Sequence, residues 1–327
     1  MGVNLTPIMV KRIMRLEDFA GRRLAVDANN FLYQFLALIR TPRGFSLESP
    51  DGTVTSHLAG LLYRTTRLIQ EYDIKPVFVF DGAPSEYKRT EIEKRRKLRE
   101  KAAAEWQAAL RTGDYAKAFS KAVVTSRLTQ PMVQDAKKLL QLLGIPYVEA
   151  PSEAEAQAAY MAAKGDVWAS SSQDYDSLLF GAPRLVRYLT ISGREYLPGK
   201  MTTRPLEPEL IALSEFLSEV GIASEQLVDL AILVGTDFNE GVKGIGPKTA
   251  LNLIRKHGSI DNLPDSLRSK VPSHYTQVRE LFLAPKVAQE YAIGFGQPRE
   301  DELYRFLCNE KGFAWGRVEK AVHRLKV

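Results

Sequence analysis

Five apolar runs in this chain each lead into acidic residues. Leu24-Ala25-Val26 precedes Asp27, Val77-Phe78-Val79-Phe80 precedes Asp81, and Ile145-Pro146-Tyr147-Val148 precedes Glu153 and Glu155. Val167-Trp168-Ala169 precedes Asp174 and Asp176, and Ile232-Leu233-Val234 precedes Asp237. Short apolar runs with helical segments between them read as buried parallel strands. The carboxyl ends of the first four would then lie along one edge of a sheet, where open α/β folds place their ligands. Seven carboxylates in one crevice would repel one another and raise each other's pKa values. Hard divalent cations with oxygen ligands resolve that conflict.

The 327-residue chain can bury a sizeable core, and no run of about 18 apolar residues exists to span a membrane. Its one cysteine, Cys308, allows no internal disulfide or cysteine-rich zinc site, which fits a reducing intracellular setting. The net charge is +6, with a pI near 9.2, and favours an acidic partner such as nucleic acid. Between Glu86 and Arg127, twelve Lys and Arg face six acids, a difference equal to the whole formal excess. A basic segment beside an acidic sheet edge suits a polyanion held by one surface and cut by metals at another. The start Met1-Gly2-Val3-Asn4-Leu5-Thr6 lacks a signal-peptide core and matches only a loose acylation pattern.

Along the chain, 22–28 reads as a strand, Phe31 to Ile39 as a helix, and Thr41 to Asp51, with Pro42, as a loop. Ser56 to Tyr72 reads as a helix feeding the strand Lys75 to Phe80. The basic segment is polar all round, so as a helix it must project or bridge, with a break at Gly113-Asp114. Lys88 and Arg95, two turns apart, would share a face and reach back over the acidic edge. Met132 to Leu143 is an amphipathic helix closed by Gly144, and a strand follows to Val148. Ser152-Glu153-Ala154-Glu155 reads as a capping box, with Ser152 as N-cap and Glu155 at the third helical position. Asp166 to Ser171 is another strand. Arg184 to Leu189 and Glu195 to Leu197 suggest a hairpin or edge strands around Ser192-Gly193. From Pro208 onward the pattern is mostly helical.

Val242-Lys243-Gly244-Ile245-Gly246-Pro247-Lys248-Thr249-Ala250 combines a tight glycine turn with Pro247 at a first helical position, and Gly258 ends the helix. Amides at such a helix start bind phosphate without reading sequence. A nucleophile-elbow pattern and the glycine fingerprints of Rossmann or P-loop sites are both missing.

Assembled in order, these motifs closely resemble those of the flap endonucleases, 5′ structure-specific nucleases of DNA replication and repair. The likeness rests on Val26-Asp27-Ala28, Phe78 to Pro84, Ala150 to Ala156, Gln173-Asp174-Tyr175-Asp176, Leu233 to Asp237 and Gly244 to Lys248. It implies a PIN-like fold: a central, mostly parallel mixed sheet flanked by helices, a helical arch, and an α-rich C-terminal part with a helix-two-turn-helix motif. The implied subregions are 1–84 with a wedge at 35–55, the arch at 85–130, an internal nuclease region at 131–238, and the C-terminal helical region at 239–327.

The resemblance further implies that Asp27, Asp81, Glu153 and Glu155 surround one Mg2+ and Asp174, Asp176 and Asp237 a second, with Mn2+ as a substitute. Lys88 and Arg95 match a basic pair at the scissile phosphate, Tyr33 an aromatic that stacks the nucleotide at the cut, and Gly2 a residue near the site. Lys243, Gly244, Ile245, Gly246, Lys248 and Thr249 match the duplex-gripping turn, with K+ assisting. Family members usually end in a motif for the sliding clamp (PCNA), and His323 to Val327 does not match it. A monomer acting on chromosomal DNA inside the cell is the expected state. The rival readings are a related 5′ exonuclease or bubble endonuclease, and a non-catalytic DNA-junction binder. The short arch favours the flap enzyme over bubble-specific relatives, and the full set of acids speaks against a mere binder.

Overall fold

A computed structural model describes residues 2–41, 43–189, 193–197 and 202–325. The expectations that fall on Met1, Pro42, Ser192, Lys326 and Val327 lie outside these. The strands in chain order are β1 Arg12–Ile13, β2 Arg23–Asp27, β3 Lys75–Phe80, β4 Tyr147–Glu149, β5 Ala169–Ser171, β6 Arg184–Arg187, β7 Gly193–Leu197, β8 Thr202–Leu206 and β9 Glu209–Ala212. Seven form one sheet in the order β1-β9-β6-β5-β2-β3-β4. β4, β3, β2, β5 and β6 run parallel, whereas β9 and β1 add an antiparallel margin.

The helices are α1 Ala28–Leu38, α2 Ser56–Tyr72, α3 Arg89–Arg111, α4 Tyr115–Val124, α5 Gln130–Leu143, α6 Ala154–Lys164, α7 Asp176–Leu179, α8 Leu213–Val220, α9 Ser224–Val234, α10 Pro247–His257, α11 Asp265–Arg268, α12 Tyr275–Leu283, α13 Glu300–Tyr304 and α14 Trp315–His323. Side chains alternate across the strands. Leu24, Val26, Phe78 and Phe80 meet residues of α1, α2 and α5 on one face, and Ala25, Val77 and Val79 meet Ala158 and Met161 of α6 on the other. Burying each of these phenylalanines contributes about 2–3 kcal/mol. A second core joins Leu185 and Ile211 of the sheet margin to α8, α9, α10 and α12.

The four strands preceding acids are neighbours and parallel, as their apolar runs require. The arch breaks where expected, between α3 and α4. Only Ala102 and Ala109 of the 23 residues in α3 are buried, so this helix has almost no core to join.

Two local expectations are corrected, and a third, a mostly helical chain after Pro208, holds with two interruptions. Ser152 is not the N-cap of α6; Glu153 is, and Asp81 Oδ1 takes the Ala154 amide at 2.8 Å. An acceptor from the adjacent strand end replaces the hydroxyl, which leaves Glu155 free to turn into the crevice. Arg184 to Leu189 forms no hairpin with Glu195 to Leu197. β6 lies inside the main sheet between β5 and β9, while β7 pairs with β8. After Pro208 the chain first makes strand β9, and 285–299 runs without helix across α6, where Gln157 exchanges two hydrogen bonds with Ala288.

Candidate active site at the carboxyl edge of the sheet

β2 ends on Asp27, whose Oδ1 accepts the Asn30 amide at 3.0 Å and so caps α1. Asp81 follows β3, and Gly82 after it sits where any side chain would collide with the Ala150 carbonyl. Glu153 and Glu155 enter with α6 behind β4. Asp174 and Asp176 come from the loop after β5, and Val3 N donates to Asp176 Oδ1 at 3.0 Å. Asp237 follows α9. Gly2 lies so close to Asp176 that a β-carbon there would strike the carboxylate.

Four of these acids, Asp27, Glu153, Glu155 and Asp176, are pushed up by burial and by their acidic neighbours. Burial, then Asp81, raises the Asp27 pKa to about 8. Burial, then Asp174 and Asp237, raises that of Asp176 to about 7. Glu155 is driven well above its ordinary value by burial together with Asp176, Asp27 and Asp174. Ser172 Oγ lies 2.9 Å from Glu155 Oε1 and 3.2 Å from Asp27 Oδ2, yet a hydroxyl has one proton to give. The site therefore attracts protons or cations.

Two basic side chains of the arch base already answer that demand. Lys88 forms an ion pair with Glu153, and its ammonium stands 5.2 Å from the centre of the Phe238 ring. Burial works against the Lys88 charge, but Glu153, Asp81 and Asp237 outweigh it and hold its pKa above the ordinary lysine value. Arg95 reaches Asp237 and is steadied by Glu91 at 2.9 Å. No three Asp, Glu, His or Cys side chains among the described residues stand close enough to enclose one ion. The donor set nonetheless fits hard divalent cations, being anionic, made only of oxygens, and buried at Asp27, Glu153 and Asp176.

Tyr33 is partly exposed on α1, beyond Asn30. The Lys243 to Thr249 segment stands on the surface and runs into the first turn of α10, with Gly244 at φ +85° and Gly246 as N-cap. Within residues 35–55, Phe45 packs edge-on to Trp106 of α3, and Arg40 donates to Ser126. Sequence reasoning missed Ser172, Asn29 and Asn30. Asn29 donates to Asp81 Oδ2 at 2.7 Å and Asn30 to Asp174 Oδ2 at 3.3 Å. The adjacent asparagines just after Asp27 were the available signal. Ser172, in a Ser-Ser-Ser run, gave none.

A doubly wound sheet with carboxylates along one edge and a basic arch above it defines a nuclease of the PIN-like class. The XPG N-terminal domain family matches residues 1–102 and the XPG I-region family residues 144–237, together more than half the chain. Flap endonuclease 1 of Archaeoglobus fulgidus is 49% identical over 327 residues, covering 100% of this chain and 96% of that protein. The Caldivirga maquilingensis protein of the same name is 51% identical over 334 residues, covering 100% and 95%. The solved flap endonuclease-1 of Methanococcus jannaschii superposes with TM-score 0.79 at 42% identity, covering 99% of this chain and 98% of that one. The catalytic core of Rad2, solved in complex with a DNA substrate, shares the fold at TM-score 0.71 and 24% identity, covering 98% and 97%. The chain belongs to the flap endonuclease family and is a structure-specific nuclease. Nucleases of this family depend on divalent metal.

Proposed function

We propose that this protein is a Mg2+-dependent 5′-flap endonuclease of DNA replication and repair. It hydrolyses the phosphodiester where duplex meets a single-stranded 5′ flap, leaves 5′-phosphate and 3′-hydroxyl ends, and has 5′ to 3′ exonuclease activity. The observation that carries this reading is the set of seven carboxylates faced by Lys88 and Arg95. Asp27, Asp81, Glu153 and Glu155 would hold one Mg2+ and Asp174, Asp176 and Asp237 a second, with Mn2+ able to replace them. Bound, the ions supply a water of lowered pKa and neutralise charge on the leaving oxygen.

The chain's own residues do the rest. Lys88 and Arg95 exchange Glu153 and Asp237 for the oxygens of the scissile phosphate, where charge grows in the transition state. Tyr33 stacks the base beside the cut. Gly2 keeps side-chain bulk away from Asp176. The Lys243 to Thr249 turn offers backbone amides to duplex phosphate, with K+ completing that contact. Shape gives specificity: the wedge at 35–55 bends the duplex, and the arch at 85–130 admits only a free single-stranded 5′ end. Regions 1–84, 131–238 and 239–327 supply the remaining nuclease wall and the duplex grip. We further read the protein as an intracellular monomer.

The test compares labelled double-flap, nicked and bubble DNA in Mg2+, with a chelator control. Preferred cutting of the flap in Mg2+ alone supports the reading. Preference for the bubble, or cutting in chelator, defeats it.

A further inference from the structure

The loop that carries Asp174 and Asp176 is gripped from behind by one guanidinium. Arg187 ends β6 and is only 8% exposed. Its Nε donates to the Gln173 carbonyl at 2.9 Å, and Nη1 donates to Tyr175 Oη at 2.6 Å and to Glu209 Oε2 at 3.0 Å. Nη2 donates to Tyr188 Oη at 3.1 Å. The guanidinium carbon also stands 4.2 Å from the centre of the Tyr175 ring and 4.8 Å from that of Tyr188. Behind it, Glu209 pairs with Lys11 as well, and Tyr175 Oη lies 3.1 Å from Thr6 Oγ1.

One rigid fork thus fixes the residue before Asp174 and the residue between Asp174 and Asp176. Asp176 is held from the opposite side by the Val3 amide. Holding a buried cation here is costly unless it is paired and hydrogen-bonded, which Glu209 and the loop provide. The planar guanidinium supplies several donors at fixed angles, whereas an ammonium would act as a single point.

We propose that Arg187 is a positioning residue that sets the aim of Asp174 and Asp176 and thereby the affinity for the cation these two hold. This rests on the two-ion reading given above. Residues that orient metal ligands from outside typically change metal affinity 10–100-fold when replaced.

The experiment titrates the full chain, free of DNA, with Mn2+ and follows unbound Mn2+ by electron paramagnetic resonance. Wild type, Arg187→Lys and Tyr175→Phe are compared, with circular dichroism in chelator as the check of folding. Arg187→Lys is expected to weaken one of two binding steps about 10-fold or more and leave the other within about twofold. Its cleavage, lost at low Mg2+, returns at high Mg2+ with the KM for flap DNA unchanged. Tyr175→Phe, which keeps the ring and removes one acceptor of the fork, should shift the same step by a smaller factor, and it carries the test if Arg187→Lys fails to fold. Equal weakening of both steps, or no change in either, overturns the proposal. A wild-type isotherm without a second step defeats the two-ion reading instead.

Discussion

Arg95 sets one guanidinium nitrogen, Nη2, against both carboxylate oxygens of Asp237, at 2.8 and 2.7 Å. The contact ties the first turns of the arch to the loop that leads into the Lys243 to Thr249 turn and α10. Together with the Lys88–Glu153 pair it places two positive charges among acids that raise one another's pKa values. The carboxylates of Glu153 and Asp237 are therefore already engaged by side chains from the base of the arch.

If Lys88 leaves Glu153 for the reacting phosphate as proposed, Lys88→Ala removes a charge that the transition state uses. We expect single-turnover cleavage of flap DNA to fall on the order of a hundredfold or more, with the dissociation constant for DNA changing less than about threefold. Parallel losses in rate and binding, measured on one substrate, would reduce Lys88 to a phosphate anchor.

Asp27→Asn keeps an oxygen for the Asn30 amide and removes a carboxyl whose pKa burial and Asp81 push up to about 8, and with it the cost of holding that group protonated in the folded protein at neutral pH. In chelator the variant should melt higher, by about 2–4 °C. In Mg2+ the order reverses, because the wild type gains more from the ion than the variant does. Calorimetric melting in both buffers reads this directly, and a variant that melts lower in chelator would show that crowding at Asp27 costs the fold nothing.

The apolar runs made β2, β3, β4 and β5 legible, because a strand buried on both faces needs almost nothing but its own side chains to be recognised. The cap of α6 was misread because Asp81, an acceptor 73 residues away, takes the Ala154 amide. β6 was misassigned for a related reason: a strand pattern says that a residue pairs but not with which strand. Arg187 was invisible as part of the site, since its charge is spent on a backbone carbonyl, two tyrosines and Glu209 that only the fold assembles.

His57 is fully buried in α2, and burial pushes its pKa down to about 4. Asp135 opposes that shift and Lys311 adds to it. The folded pKa lies below the unfolded value of about 6.5, so the unfolded chain takes up a proton first. The stability held by neutral His57 is complete above pH 6.5 and is lost as pH falls toward 4, by at most about 3 kcal/mol. His57→Leu should escape that loss. Urea unfolding of both proteins at pH 7.5 and 4.5 isolates the difference, since all other titrating groups are shared. An equal pH dependence in the two would mean that His57 keeps a normal pKa.

Gly246 has no internal need to be glycine. Its φ of −93° suits any residue, and a β-carbon there would meet nothing within 4 Å. Neighbouring Gly244, at φ +85°, is constrained by its own backbone. If the turn binds duplex phosphate through backbone amides, the space beside Gly246 is reserved for the DNA rather than for the protein. Gly246→Val should then leave the melting temperature within about 1 °C while weakening duplex binding roughly tenfold, since a side chain would hold the phosphate off the amides. Fluorescence anisotropy with duplex DNA, alongside melting curves, separates the two effects. Unchanged affinity in a folded Gly246→Val protein would remove the turn from the DNA contact and leave the grip on the duplex to other surfaces.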